Sequence, residues 1–162
     1  MPDPVLRSNT TKNVVLLVGL QASGKSTFFR ARFAATHEHV SKDLFRNNKN
    51  PNRRQTRLIE AALRAGKSVV VDNTNPTVEG RLPLIRLGRE HGAKIVGYYF
   101  DSHLHRCLER NRQRTGKVRV PDVALYATVK KLQRPSYSEG FDELFCVRIS
   151  GESAFEVLAF PD

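Results

Sequence analysis

The run Gly19-Leu-Gln-Ala-Ser-Gly24-Lys25-Ser26 directly follows the apolar stretch Val14-Val-Leu-Leu-Val18, and this pairing constrains the chain more than any other feature. A buried strand that feeds a G-x-x-x-x-G-K-S loop predicts backbone N–H groups converging on phosphate oxygens. The helix that follows would aim its positive end at the same anion. Gly19, Gln21, Ala22, Ser23, Gly24 and Thr27 are expected to form the phosphate cradle. Lys25 is expected to reach the β- and γ-phosphates of a nucleotide and Ser26 to hold Mg²⁺. The alternative is a glycine turn without a ligand; the rarity of the pattern and the strand before it argue against that.

Composition bounds the rest. A chain of 162 residues suits one domain with a sizeable core. Residues 1–12 read as a polar tail and 13–162 as the domain. Cys107 and Cys146 sit inside apolar patterns, which predicts reduced core thiols rather than a disulfide framework or metal cluster. No apolar signal core is present at the start, and the run at Val14 is too short to span a bilayer, so a cytoplasmic setting is expected. The 27 Lys and Arg against 16 Asp and Glu give a formal charge of +11, which favours polyanionic partners, with a solvated basic surface as the alternative. Five basic residues (Arg110, Arg112, Arg114, Lys117, Arg119) crowd one stretch, where a phosphate-handling lid is expected around 110–120.

Strands and helices alternate along the chain. Strands are expected at Val14–Val18, at His39–Val40 leading to Asp43, at Lys67–Asp72, Ala93–Phe100 and Leu144–Ile149. Helices are expected at about 24–34, at 51–65 after Asn50-Pro51, toward His91 after Asn75-Pro76, and at 102–112 and 121–133. Gly80 and Pro83 predict that the third helix is kinked or begins late. The alternation calls for a parallel sheet covered on both faces, with ligands at the carboxyl ends of the strands.

Several polar residues fall at those ends. Asp72 closes the apolar run Val69-Val-Val and fits a carboxylate that supports Mg²⁺, with a simple turn cap as the alternative. Thr74 and Asn75 share that edge and are expected to line an acceptor pocket; Asn75 fits a helix N-cap equally well. Asp43, at the edge of the second strand, is placed to take a proton from an acceptor hydroxyl, with Arg46 on the same rim. The competing reading is a local surface ion pair between the two. His103 and His105, two apart on an expected helix, point to different faces, His37, His39 and His91 look isolated, and all five are assigned ordinary roles. Tyr126, Tyr137 and Phe141 could stack on bases, but core packing is the simpler expectation. Ser150–Ala154, after the fifth strand, is expected to border an adenine.

The chain resembles the kinase domain of polynucleotide 5′-kinases, including that of polynucleotide kinase-phosphatases. The resemblance rests on Gly19–Thr27, Ser41-Lys-Asp43, Gly66–Pro76, and Val120-Pro-Asp122 through Arg134–Phe141. It implies an α/β P-loop kinase with a five-stranded parallel sheet in the adenylate-kinase-like order 2-3-1-4-5, helices on both faces and a small basic lid. It implies ATP and Mg²⁺ as cofactors and the 5′-hydroxyl ends of nucleic acid as substrate. By the same resemblance Asp43 is the general base, Arg46 holds the acceptor strand, and the lid arginines Arg110 and Arg114 contact phosphates, with Arg112 competing for a lid role because the spacing shifts the register. No D-x-D-x-T phosphatase signature is present, so a phosphatase or ligase would be a separate partner. Two further functions fit the motifs: a kinase of a small-molecule hydroxyl, and a nucleotide-dependent binding protein. The latter needs a P-loop but no base such as Asp43.

Overall fold

The computed structural model describes residues 11–150 and 154–161; the expected tail lies almost wholly outside them. Eleven regular elements follow in the order β1 (Asn13–Val18), α1 (Lys25–Arg32), β2 (His37–Val40), α2 (Pro51–Arg64), β3 (Ser68–Asp72), α3 (Val78–Glu90), β4 (Lys94–Phe100), α4 (Leu104–Arg112), α5 (Asp122–Lys131), β5 (Glu143–Ser150) and β6 (Ala154–Ala159). They form a P-loop kinase fold. The sheet order is β2-β3-β1-β4-β5-β6, so the expected 2-3-1-4-5 order holds over five parallel strands.

The expectation of five strands needs correction: a sixth, β6, adds antiparallel to β5, pairing Phe145 with Ala159 and Ser150 with Ala154. The alternation Phe155-Glu-Val157 is too short to mark a strand by itself, and the pairing with β5 reveals it. Most of the segment expected to border an adenine, 151–153, lies outside the described residues, and its flanks Ser150 and Ala154 are the paired ends of this hairpin.

β1 sits at the centre because it is apolar on both faces. Val14 and Leu16 join the core under α2 and α3, with Ile59, Leu63, Val69, Leu84 and Ile95. Val15 and Leu17 face the other way, onto Phe28 and Phe29 of α1. A third cluster, Leu20, Ala22, Cys107, Leu108 and Leu125, seats the loop after β1 on α4 and α5. Both cysteines are free and buried, as expected. Phe141 belongs to the core, whereas Tyr126 and Tyr137 are largely exposed, contrary to the packing expected of them. No helix among the described residues is long and apolar enough to cross a membrane.

The helix boundaries follow local chemistry. Asn50 caps α2 by accepting from Arg53 N at 3.1 Å, with Pro51 at the first helical position. α3 does begin late. Thr77, not Asn75, is its cap, accepting from Gly80 N at 3.0 Å, and Pro83 lies within the helix.

At the sheet centre, strand packing leaves no room beside β4. A Cβ built on Gly97 would lie 2.6 Å from Leu144 Cδ2 and 2.8 Å from the Phe141 ring. Gly97→Ala is therefore expected to cost about 1–3 kcal/mol through overpacking. A lower urea midpoint at unchanged m-value would show it.

Candidate active site

The loop from Gly19 to Lys25 turns back on itself at the carboxyl edge of β1. Gly24 stands at the N-cap of α1 with φ +95°, a left-handed conformation open to glycine, and an added Cβ would meet Ile149 and Phe155 at 3.1 and 3.3 Å. No side chain caps α1, and its first turn holds no acid, so its leading N–H groups are left for an external anion. Ala22 also adopts a positive φ of 62°. Lys25 is buried and folds over the loop, its Nζ donating to Gly19 O (3.0 Å), Leu20 O (2.5 Å) and Ser23 Oγ (3.4 Å). Burial pulls its pKa down to about 8, partly opposed by Asp72. A desolvated ammonium with only carbonyl and hydroxyl partners is suited to a phosphate anion.

Asp72 ends β3 and is nearly inaccessible. Its Oδ2 accepts from Ser26 Oγ at 2.7 Å and lies 2.8 Å from His39 Nε2. Burial opposes ionisation, yet the hydrogen bonds from His39 and Ser26 and the charge of Lys25 hold its pKa below the usual value. The imidazole of His39 stacks on Phe29 with centroids 4.1 Å apart and planes 15° from parallel. In the sequence His39 looks isolated. The parallel pairing of β2 with β3 brings it to Asp72, and only its place on a strand ending at the same edge hinted at that.

Asp43 was expected at the end of a strand. It lies instead on a 3₁₀ turn, Lys42–Phe45, because β2 stops at Val40 and Ser41 caps the turn by accepting from Asp43 N. Asn73 fastens this turn: its Oδ1 accepts from Lys42 N at 2.9 Å, and its Nδ2 donates to Gln55 of α2 at 2.6 Å. The Asp43 side chain is 77% exposed and lies 3.4 Å from Arg46, so the ion pair weighed against a catalytic role does form. Arg46 also reaches across the mouth and donates to Lys117 O at 2.7 Å.

Beyond β3 the chain is locked from behind. Gly19 N donates to Thr74 O, and Asn75, at φ 45°, donates to Leu17 O (2.7 Å) and Val71 O (3.2 Å). Arg81, fully buried, donates to Asn75 O at 2.8 Å and to both carboxylate oxygens of Glu139. Asn75 thus spends its amide on the sheet edge rather than on a helix cap, although both it and Thr74 line the cleft.

The lid residues separate. Arg114 lines the cleft; burial lowers its pKa and nearby Asp43 opposes this. Arg110 passes behind the loop and donates to Ala22 O at 3.0 Å. Arg112 faces α5 at Asp122, 3.8 Å away. The lid is pinned by buried Asn111, which exchanges two hydrogen bonds with the Val120 backbone. Gln21 donates to Thr128 of α5 and Thr27 accepts from Arg30, so neither turns its side chain wholly to the cleft.

Lys25, Ser26, His39, Asp43, Arg46 and Arg114 share one cleft of about 1410 Å³. Residues 14–135 match the family model described as an AAA domain. The chain belongs to that family. It is 30% identical over 142 residues to the bifunctional polynucleotide phosphatase/kinase of Schizosaccharomyces pombe, a match covering 80% of this chain and 32% of that protein. Across the curated relatives it matches, the chain spans between 17% and 32% of their length. Among solved structures it resembles a chain of the Pnkp1/Rnl/Hen1 RNA repair complex (TM-score 0.63, 25% identity, covering 80% of this chain and 47% of that one). It also shares its fold with a sugar kinase from Janibacter sp. HTCC2649 (TM-score 0.63, 18% identity, 85% of each chain).

This AAA-family domain holds its acidic centre partly through His39. His39→Leu keeps an apolar side chain against Phe29 but removes a bond to a charged acceptor. It is expected to lower the unfolding free energy by about 1.5–3 kcal/mol. Denaturant titration reads this directly, and a loss near zero would mean that Ser26 alone suffices for Asp72.

Proposed function

We propose that this domain transfers the γ-phosphate of ATP to the 5′-hydroxyl end of a DNA or RNA strand. The observation that carries the reading is the meeting of a phosphate cradle, an acceptor-side carboxylate and two arginines in one cleft. The site residues fit a nucleotide with Mg²⁺: leading N–H groups of α1 without a cap, a buried lysine without a carboxylate of its own, and a hydroxyl paired with an ionised carboxylate. When bound, ATP supplies the phosphoryl group and Mg²⁺ offsets its charge.

Each residue then has a part. Gly19 to Thr27 would cradle the phosphates, Lys25 would turn from the loop carbonyls to the anion, and Ser26 and Asp72 would hold the metal. Asp43 accepts the hydroxyl proton as the new O–P bond forms and the β–γ bridging bond breaks, releasing ADP. Arg114 offsets charge on the transferring group, with Arg110 bracing the loop from behind until the lid closes. Arg46, exposed at the mouth, takes a phosphate of the acceptor, and Thr74 and Asn75 form the floor beside it. The exposed position of Asp43 supports a strand end as acceptor, since a large substrate can reach it from solvent. The similarity to the polynucleotide phosphatase/kinase supports the same substrate class. A separate phosphatase or ligase would complete the healing of such ends, and a cytoplasmic setting suits the free thiols.

The test is γ-labelled ATP and Mg²⁺ with 5′-hydroxyl oligonucleotides beside a panel of sugars and nucleosides. Label on oligonucleotide ends is expected; label only on small molecules refutes the reading. Asp43→Asn is expected to leave ATP affinity intact while turnover falls about 10²-fold or more, because shape is kept and the proton acceptor is lost. Equal loss of ATP affinity would remove Asp43 from the role of base. Arg114→Ala is expected to lower kcat with any acceptor, and Arg46→Ala to raise KM for oligonucleotides more than for ATP. Matching steady-state defects in the two variants would show that the arginines do not divide donor from acceptor.

A further inference from the structure

Between Leu44 and Ile59 the chain carries five cations, Arg46, Lys49, Arg53, Arg54 and Arg57, and no acid. This second basic segment lies apart from the lid. Its first member stands at the cleft mouth, and the segment leads from there along the outside of α2. Asn52 and Thr56 line the cleft while Gln55, Ile59 and Leu63 are buried, which fixes the inner face of α2. Helical spacing puts Arg53, Arg54 and Arg57 on the outer flank, and all three are exposed, as is Lys49. Among the described residues none of these four forms an ion pair, whereas Arg46, Arg64 and Lys67 nearby each have an acidic partner.

The placement also opposes local preference. Arg53 and Arg54 fall in or next to the first turn of α2, a turn that holds no acid, at the positive end of the helix dipole. Cations there are unfavourable, and here they also repel one another. A conflict between local stability and sequence of this kind is expected where a surface serves a ligand. The missing partner must be anionic, extended, and continuous with whatever enters the cleft past Arg46. From Asn50 to Arg57 the helix advances about 10 Å, room for more than one phosphate of a strand.

We infer that the outer flank of α2, with Lys49, Arg53, Arg54 and Arg57, is a phosphate track that holds the acceptor strand downstream of its 5′ end. This inference rests on the proposed polynucleotide substrate and deepens it. The track selects for a strand several nucleotides long over a mononucleotide or a sugar. Its contacts are to phosphates and carry no base preference.

The experiment uses direct binding, which does not depend on phosphoryl transfer. Fluorescence anisotropy with a labelled 5′-hydroxyl decanucleotide compares the wild-type protein, the triple variant R53Q/R54Q/R57Q, and an equal-charge control, R64Q/R86Q/R106Q. Glutamine keeps helix propensity and relieves the dipole conflict, so the triple variant is expected to melt no lower than wild type. It is expected to bind the decanucleotide at least tenfold more weakly, with the slope of log K against log salt shallower by about 2, as for three lost single-strand phosphate contacts. The control should bind nearly as wild type. In transfer assays the triple variant should raise KM for the decanucleotide and leave KM for a nucleoside 3′-phosphate unchanged. Wild-type binding by the triple variant, an equal loss in the control, or no binding by the wild-type protein each overturns the track. A decanucleotide held through these arginines but never labelled would refute the kinase reading and leave the track standing.

Discussion

The carboxylate of Asp72 joins the three parts from which the cleft is made. It ends the strand next to β1, takes the hydroxyl of Ser26 from the first turn of α1, and meets His39 from the strand beyond. Withdrawing a carboxylate from water costs several kcal/mol, and only close, well-directed donors offset that. The two bonds, with the Lys25 ammonium nearby, do so here and keep Asp72 ionised. The same bonds fix the distance between the glycine loop and the edge of the sheet. If this carboxylate were neutral or displaced, the loop would lose its tether to β3 and Lys25 its nearby opposite charge.

A second buried charge serves the opposite wall. Arg81 and Glu139 are both almost wholly inaccessible and make a bidentate pair, with a third bond from Arg81 to Asn75 O. An apolar pair of similar volume would often be as stable, so net stability is a poor explanation for it. What the pair supplies is direction. It holds the backbone of Asn75 in a left-handed turn, where the amide can bond Leu17 and Val71 at once. The edge after β3 is thereby set against the glycine loop, which receives Thr74 O from it.

The mouth of the cleft is built differently from its floor. Asp43, Arg46, Lys117 and Arg114 are exposed or half-buried, and their contacts are long or fall on backbone carbonyls. Such contacts are worth little in water and exchange readily for a ligand. A floor of short, buried contacts thus lies beneath a rim whose contacts are readily exchanged. Basic segments flank this rim on both sides, the lid on one and the start of α2 on the other.

The order of the parallel strands was implied only by the family resemblance; the sequence by itself determined the strand–loop–helix unit, the alternation of strands with helices and the carboxylate at the end of β3. These follow from continuous apolar runs and from glycines at fixed spacing, both local properties of the chain. It did not disclose β6, whose alternation is short and whose pairing is a tertiary event. Nor did it reveal that His39 meets Asp72, that Asn73 anchors the turn bearing Asp43, or that Asn75 is held by Arg81. Those partners lie 33, 31 and 6 residues apart or on separate elements, and only the register of β2 on β3 and the packing of α3 bring them within bonding distance. The lid arginines show the same limit. Periodicity could not tell which of Arg110, Arg112 and Arg114 faces the cleft, because that depends on where α4 ends and how Asn111 ties the chain that follows.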